Sequence, residues 1–369
     1  MSNSLLFLPD ISGFTEFIQT TEVQHSQHVI AELLEIIIDA TTEDLQLAEV
    51  EGDALFFYKE NGVSSQEQLL LQMEAIFSAF YSHLKLLEKN RICPCNACSS
   101  APKLQLKIVA HCGELQYITV QNKRKPFGAE VIEAHRLMKN DVQSDNYVLI
   151  SQKLANQIKL DTDHHHSLYK FEEGVNTYDG KEVPYLYAII EKSKLKLKPF
   201  SSAKKLVMDR KPAISISMLF SVDADTLLEF ISNYHYRHYW VDGTVKFEYN
   251  ENEVTRLGTE HVCIINGKHF NFTSITKDVK PTQLIYGEQT SDPPPVDKMN
   301  QFFIITPINE HSCKLDVEIY FELSNFIQKI IVGVAFKHIL KKNVTKSMLL
   351  LKDFISNKKF THLDEDALK

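Results

Sequence analysis

The chain has 369 residues, 44% of them hydrophobic and 24% charged; this is too apolar for wholesale disorder and long enough for about two or three domains. Its 40 basic and 48 acidic residues give a formal charge of −8, which argues against nucleic acid as a partner. No secretory leader or membrane span is expected from the sequence, and six cysteines with three crowded together suit a reducing, cytoplasmic setting.

Residues 5–8, Leu-Leu-Phe-Leu, predict a short buried strand. A brief amphipathic stretch opens at Thr15, and Val29, Leu33, Leu34, Ile37 and Ile38 then recur at helical spacing over about 24–41. Residues 45–50 and 54–58 flank Glu51-Gly52-Asp53 as a hairpin. A long helix over 66–88 gathers Leu69, Leu70, Met73, Ile76, Phe77 and Phe80 on one face. Residues 104–111 and 115–120 read as a second hairpin around Gly113, a helix follows Gly128, and 147–150 and 185–190 supply later strands. This order predicts an α+β domain with helices on a mostly antiparallel sheet.

The lysine- and serine-rich segment 191–209 is the expected linker. It separates a domain over 1–190 from one over 210–358, with a polar tail over 359–369 that is expected to fray. The second domain opens with a strand at 214–220 and a helix at 224–232. Several β-rich runs and one long helix from about 325 to 356 follow, predicting a curved antiparallel sheet around that helix.

Asp10 ends the first strand and Asp53 sits in the first hairpin's turn. If strand and hairpin are neighbours, both carboxylates project from one sheet edge, where a divalent cation would relieve their repulsion. Oxygen ligands with open positions suit Mg²⁺ or Mn²⁺ and nucleotide phosphates, although both aspartates are also ordinary turn residues. A second cluster, Cys93-Pro94-Cys95-Asn96-Ala97-Cys98, crowds three thiols into one loop. Zn²⁺ would gather them, with Cys112 or His111 as fourth ligand; redox sensing by disulfide formation is the competing reading. The run from His164 to His166 reads as a solvated loop.

The segments Phe7-Leu8-Pro9-Asp10-Ile11-Ser12-Gly13-Phe14-Thr15 and Glu51-Gly52-Asp53-Ala54 resemble the two metal-binding segments of class III nucleotidyl cyclase catalytic domains. His111-Cys112-Gly113-Glu114, the stretch from Phe127 to Leu137, and Gly180-Lys181-Glu182-Val183-Pro184-Tyr185 follow in the same order, so the resemblance covers about residues 4–190. It implies a ferredoxin-like domain working as a head-to-tail homodimer. It further implies two-metal cyclisation of a nucleoside triphosphate, with pyrophosphate leaving. On that resemblance Asp10 and Asp53 hold two divalent ions, Ile11 offers its carbonyl, and Arg136 stabilises charge developing on the phosphate. Ile132 replaces the family's transition-state asparagine. Glu49 and Lys125 fall on the base-reading positions, inverted relative to adenylate-forming members. Glu49 could accept from guanine N1–H and the 2-amino group while Lys125 donates to O6; alternatively the two form an ion pair across the dimer interface.

Residues from about 210 to 358, with Tyr239-Trp240-Val241-Asp242-Gly243 and Arg256-Leu257-Gly258-Thr259, resemble the START-like helix-grip superfamily of polyketide cyclase type. That implies a cavity for a hydrophobic small molecule or lipid, with Trp240, Phe270, Phe272, Phe302, Phe303, Ile330, Val334 and Phe336 as wall candidates and Pro293-Pro294-Pro295 at its rim. The combined expectation is a cyclase-like module regulated by a hydrophobic ligand. Its rival is a catalytically degenerate cyclase fold serving as a binding or scaffold protein.

Overall fold

A computed structural model describes residues 3–366 apart from 22, 43, 165, 201–204, 243, 250–254, 266–267, 292 and 294. His165, Pro294, part of the linker and the last three residues of the tail therefore lie outside the described residues. Contacts group the chain into two units, Met1–Glu88 with Asn96–Phe200, and Lys89–Cys95 with Ser201–Lys369.

In the first unit the chain runs β1 (Ser4–Ser12), α1 (Phe14–Thr20), α2 (Val23–Asp39), β2 (Gln46–Glu51), β3 (Ala54–Lys59), α3 (Gln66–Lys89), α4 (Asn96–Ser100) and β4 (Gln105–Gly113). It continues through β5 (Gln116–Val120), β6 (Lys123–Phe127), α5 (Ala129–Leu137), β7 (Tyr147–Ser151), α6 (Gln152–Ile158), β8 (Glu172–Tyr178) and β9 (Lys181–Ile189). Seven strands form one sheet in the order β2-β3-β1-β4-β7-β9-β8, with β4–β7 parallel and the other described pairs antiparallel. This is the α+β architecture expected from the element order.

β1 is central and buried on both faces, which explains its continuous apolar run. Leu6 and Leu8 pack with Val109, Leu149, Ala134 and Leu137, while the alternate residues Leu5 and Phe7 are equally buried. The expected hairpin around Gly113 does not form. Both flanks of β4 are occupied, by β1 and β7, so β5 pairs with β6 in a separate ribbon. Gln121 and Asn122 between them both have positive φ, as a tight two-residue hairpin turn requires.

The second unit holds β10 (Lys205–Leu206), β11 (Ile214–Phe220), α7 (Ala224–Ser232), α8 (Arg237–Trp240), β12 (Thr244–Glu248), β13 (Glu260–Ile265) and β14 (Lys268–Lys277). It ends with β15 (Leu284–Ser291), β16 (Lys298–Asn309), β17 (Ser312–Glu322), α9 (Phe326–Ile331) and α10 (Lys337–Asp366). The strands form a curled sheet in the order β11-β17-β16-β15-β14-β13-β12, with β10 added parallel to β14. One core joins that sheet to α7 and to Val344, Met348, Leu351 and Ile355 of α10.

Two expectations need correction here. The single long helix is interrupted by a π-helical stretch at Val332–Phe336, which includes Gly333. The wall candidates also do not share one face. Trp240 and Phe303 belong to the core beneath α7 and α10, Phe302 to a separate cluster with Tyr320 and Ile304, and Ile330 and Val334 are exposed. Strand alternation sends the adjacent Phe302 and Phe303 to opposite faces.

Candidate active site and cysteine cluster

Register sets the acidic pair. Asp10 lies opposite Ala54 of β3 on one side and Lys107 of β4 on the other. Gly52, at φ +71°, turns the β2–β3 hairpin so that Asp53 meets the end of β1, and the Ile11 backbone N–H donates to the Asp53 carbonyl at 3.1 Å. The Asp53 carboxyl comes within hydrogen-bonding reach of Asp10. Burial, then the Asp10 charge, pushes the Asp53 carboxyl up to about 6, against a backbone hydrogen bond and the Lys107 charge, which pull it down.

Lys107, which sequence reasoning did not single out, donates to Asp10 at 3.0 Å. Burial works against its ammonium, but Asp10 beside it outweighs this and its pKa ends above the ordinary lysine value. Two crowded carboxylates, one of them raised in pKa by burial and by its neighbour, form an all-oxygen donor set that fits Mg²⁺ or Mn²⁺. The Lys107 ammonium stands in that same negative field, where a divalent ion would also be drawn.

The other carried-over residues lie around this edge. Lys125 of β6 donates to Glu49 of β2 at 2.8 Å, so the ion pair expected across a dimer interface is closed within one chain. Glu51 accepts from His135 of α5 at 3.0 Å, assigning that ring nitrogen as the donor. Arg136 is paired with Asp179 in the turn between β8 and β9. Ile132 projects from α5 with 53% of its surface exposed and brings no hydrogen-bonding group.

Cys93, Cys95 and Cys98 converge, and the ligand atoms of these three and of His25 all lie within 4.8 Å of one another. Cys98 Sγ is 3.5 Å from His25 Nδ1. Cys112 stands apart from that group: it is buried in β4, its thiol faces Gln157 at 3.3 Å, and burial pushes its pKa up to about 11. His111, the other fourth-ligand candidate, is held between Ser151 and Glu130 at 2.8 and 2.7 Å. His25 was missed because it lies 68 positions before Cys93, where spacing gives no signal.

A second unanticipated cluster lies in the curled sheet's core. Arg237 and Glu288, both almost wholly buried, pair at 2.5 Å; Tyr286 donates to Glu288 at 2.9 Å, and His261 is 3.5 Å from it. Burial first, with Arg237 adding to it, lowers the His261 pKa to about 4, although Glu288 pulls the other way.

Among the described residues no helix is long and apolar enough to cross a membrane. A family model described as "Protein of unknown function (DUF2652)" matches residues 30–147. The uncharacterized protein Rv2561/Rv2562 of Mycobacterium tuberculosis is 32% identical over 126 residues, 34% of this chain; the chain spans 58% of that relative's length. Similar solved structures include cyclase catalytic domains, matched over about half of the chain. The guanylyl cyclase domain of the RhoGC fusion protein from Blastocladiella emersonii, in its non-canonical dimeric crystal structure, is 13% identical, covering 52% of this chain and 97% of its own, at a TM-score of 0.38. The adenylyl cyclase CyaB from P. aeruginosa is 16% identical, covering 51% and 94% respectively, at a TM-score of 0.35.

Proposed function

We propose that residues 1–190 form a nucleotidyl-cyclase-like module that converts a nucleoside triphosphate, with guanine favoured, into a cyclic nucleotide and pyrophosphate. Asp10, Asp53 and the Ile11 carbonyl would hold two Mg²⁺ or Mn²⁺ ions. When bound, the ions supply Lewis acidity toward the attacking 3′-hydroxyl and neutralise the triphosphate. Lys107, in contact with Asp10, adds positive charge where phosphates arrive. Arg136 would bring its donor fork to the α-phosphate from a second copy of the chain. Glu49 and Lys125, already in contact, would open toward the guanine edge. The convergence of Asp10 and Asp53 at one strand end is the observation that carries this reading.

A second reading is favoured by Ile132, since losing a positioned donor costs about 10²–10³ in rate. Here the domain is a binding or scaffold module that holds a metal–nucleotide without turning it over. Purified protein with Mn²⁺ and each of the four nucleoside triphosphates, assayed by mass spectrometry, separates the two. Cyclic product supports the enzyme; Mn²⁺-dependent nucleotide binding without product supports the second reading; neither result overturns both.

The second unit, on this proposal, is a helix-grip receptor whose hydrophobic ligand biases the first. What favours that reading is the arrangement of its antiparallel sheet, which shares one core with α7 and α10.

A further inference from the structure

We propose that His25, Cys93, Cys95 and Cys98 form a mononuclear Cys₃His zinc site, independent of the aspartate pair and of any nucleotide chemistry. The sequence places three thiols in six residues, on the connection from α3 into α4. The imidazole comes from the first turn of α2, so the fourth ligand is remote in sequence and supplied by folding alone. All four ligand atoms lie within 4.8 Å of one another.

That spacing accommodates one tetrahedral ion. Tetrahedral zinc with Zn–S of about 2.3 Å and Zn–N of about 2.0–2.1 Å puts sulfur and nitrogen about 3.5 Å apart, and two sulfurs about 3.8 Å apart. Cys98 Sγ and His25 Nδ1 stand 3.5 Å apart. Four ligands this close serve one ion, because ligands to different irons of a cluster must stand wider. Soft thiolates with one imidazole select zinc over Mg²⁺ or Ca²⁺. No disulfide joins any of the six cysteines. A closed four-ligand shell leaves no open position for water or substrate, which makes the site structural rather than catalytic.

Metal analysis of the full chain by mass spectrometry tests the proposal, with one zinc per chain expected. Cobalt substituted for zinc is expected to give thiolate charge-transfer bands with the d–d pattern of a tetrahedral S₃N site. His25→Ala should weaken zinc retention against a chelator by more than the roughly 10–100-fold that loss of an outer-shell partner costs, and His25→Cys should restore it. Cys112→Ser should leave zinc content unchanged. Absence of bound metal, iron with inorganic sulfide, or a disulfide among the three loop cysteines in freshly purified protein would overturn the site. Zinc retention unaffected by His25→Ala would overturn the ligand set. The wild-type metal content and cobalt spectrum decide the matter even if a variant fails to fold.

Discussion

Asp53 shows how one residue's surroundings can be read as a pH dependence. Its carboxyl titrates near 3.8 when unperturbed and near about 6 in the fold, because burial and Asp10 both oppose its charge. A raised acid binds its proton more tightly when folded. The stability it contributes is therefore fully present below about pH 3.8 and lost as pH rises through about 6. Asp53→Asn mimics the protonated form at every pH. It is expected to raise the melting temperature of the metal-free protein at neutral pH, with the gain vanishing in acid, and to abolish Mn²⁺ binding. Calorimetry across that pH range, with and without Mn²⁺, checks both; an unchanged melting temperature at neutral pH would show that the carboxylates do not repel. At this scale the sequence was partly legible. The approach of Asp10 and Asp53 was legible because turn residues mark strand ends. Lys107 was not, because only the β1–β4 register puts it opposite Asp10.

Elements were legible where a pattern is local and lost where it depends on competition for partners. α3 was expected over 66–88 and observed over Gln66–Lys89, since its apolar face repeats through many turns. The 115–120 strand was recognised, but its partner was not. Its pairing depends on both edges of β4 being occupied, a fact no window of sequence contains. Likewise the thiols of the cysteine loop were evident, whereas the choice of His25 over Cys112 rests on the fold.

The second unit offers a test of packing at the same scale. Gly287 of β15 sits between Ile275 of β14 and Phe302 of β16. A methyl group there would meet the Phe302 ring at 2.6 Å and the Ile275 carbonyl oxygen at 2.9 Å. The ring and the strand would have to shift. Gly287→Ala is expected to cost about 1–3 kcal/mol, the usual range for overpacking. Denaturant unfolding measures it, and a cost near zero would mean that the sheet yields at this point.

For the molecule as a whole, the distinctive consequence of the proposed function is that one chain does not complete a site. The exposed apolar residues Leu47, Val50, Phe127 and Ile132 lie on β2, β6 and α5. These elements are linked by the Glu49–Lys125 and Glu51–His135 pairs, and they offer a face on which a second copy could seat. If metals come from Asp10 of one chain and the guanidinium from Arg136 of the other, Asp10→Asn and Arg136→Ala should each be inactive alone. Mixing the two variants should restore activity. Random exchange makes about half of the dimers mixed, and each mixed dimer has one intact site of two, so recovery approaches about a quarter of the wild-type rate. Steady-state rates on equimolar mixtures, after exchange through dilution and reconcentration, provide the measurement. Recovery well below that fraction, with exchange verified by differently tagged chains, would place both residues in the same chain's site and remove the need for a dimer.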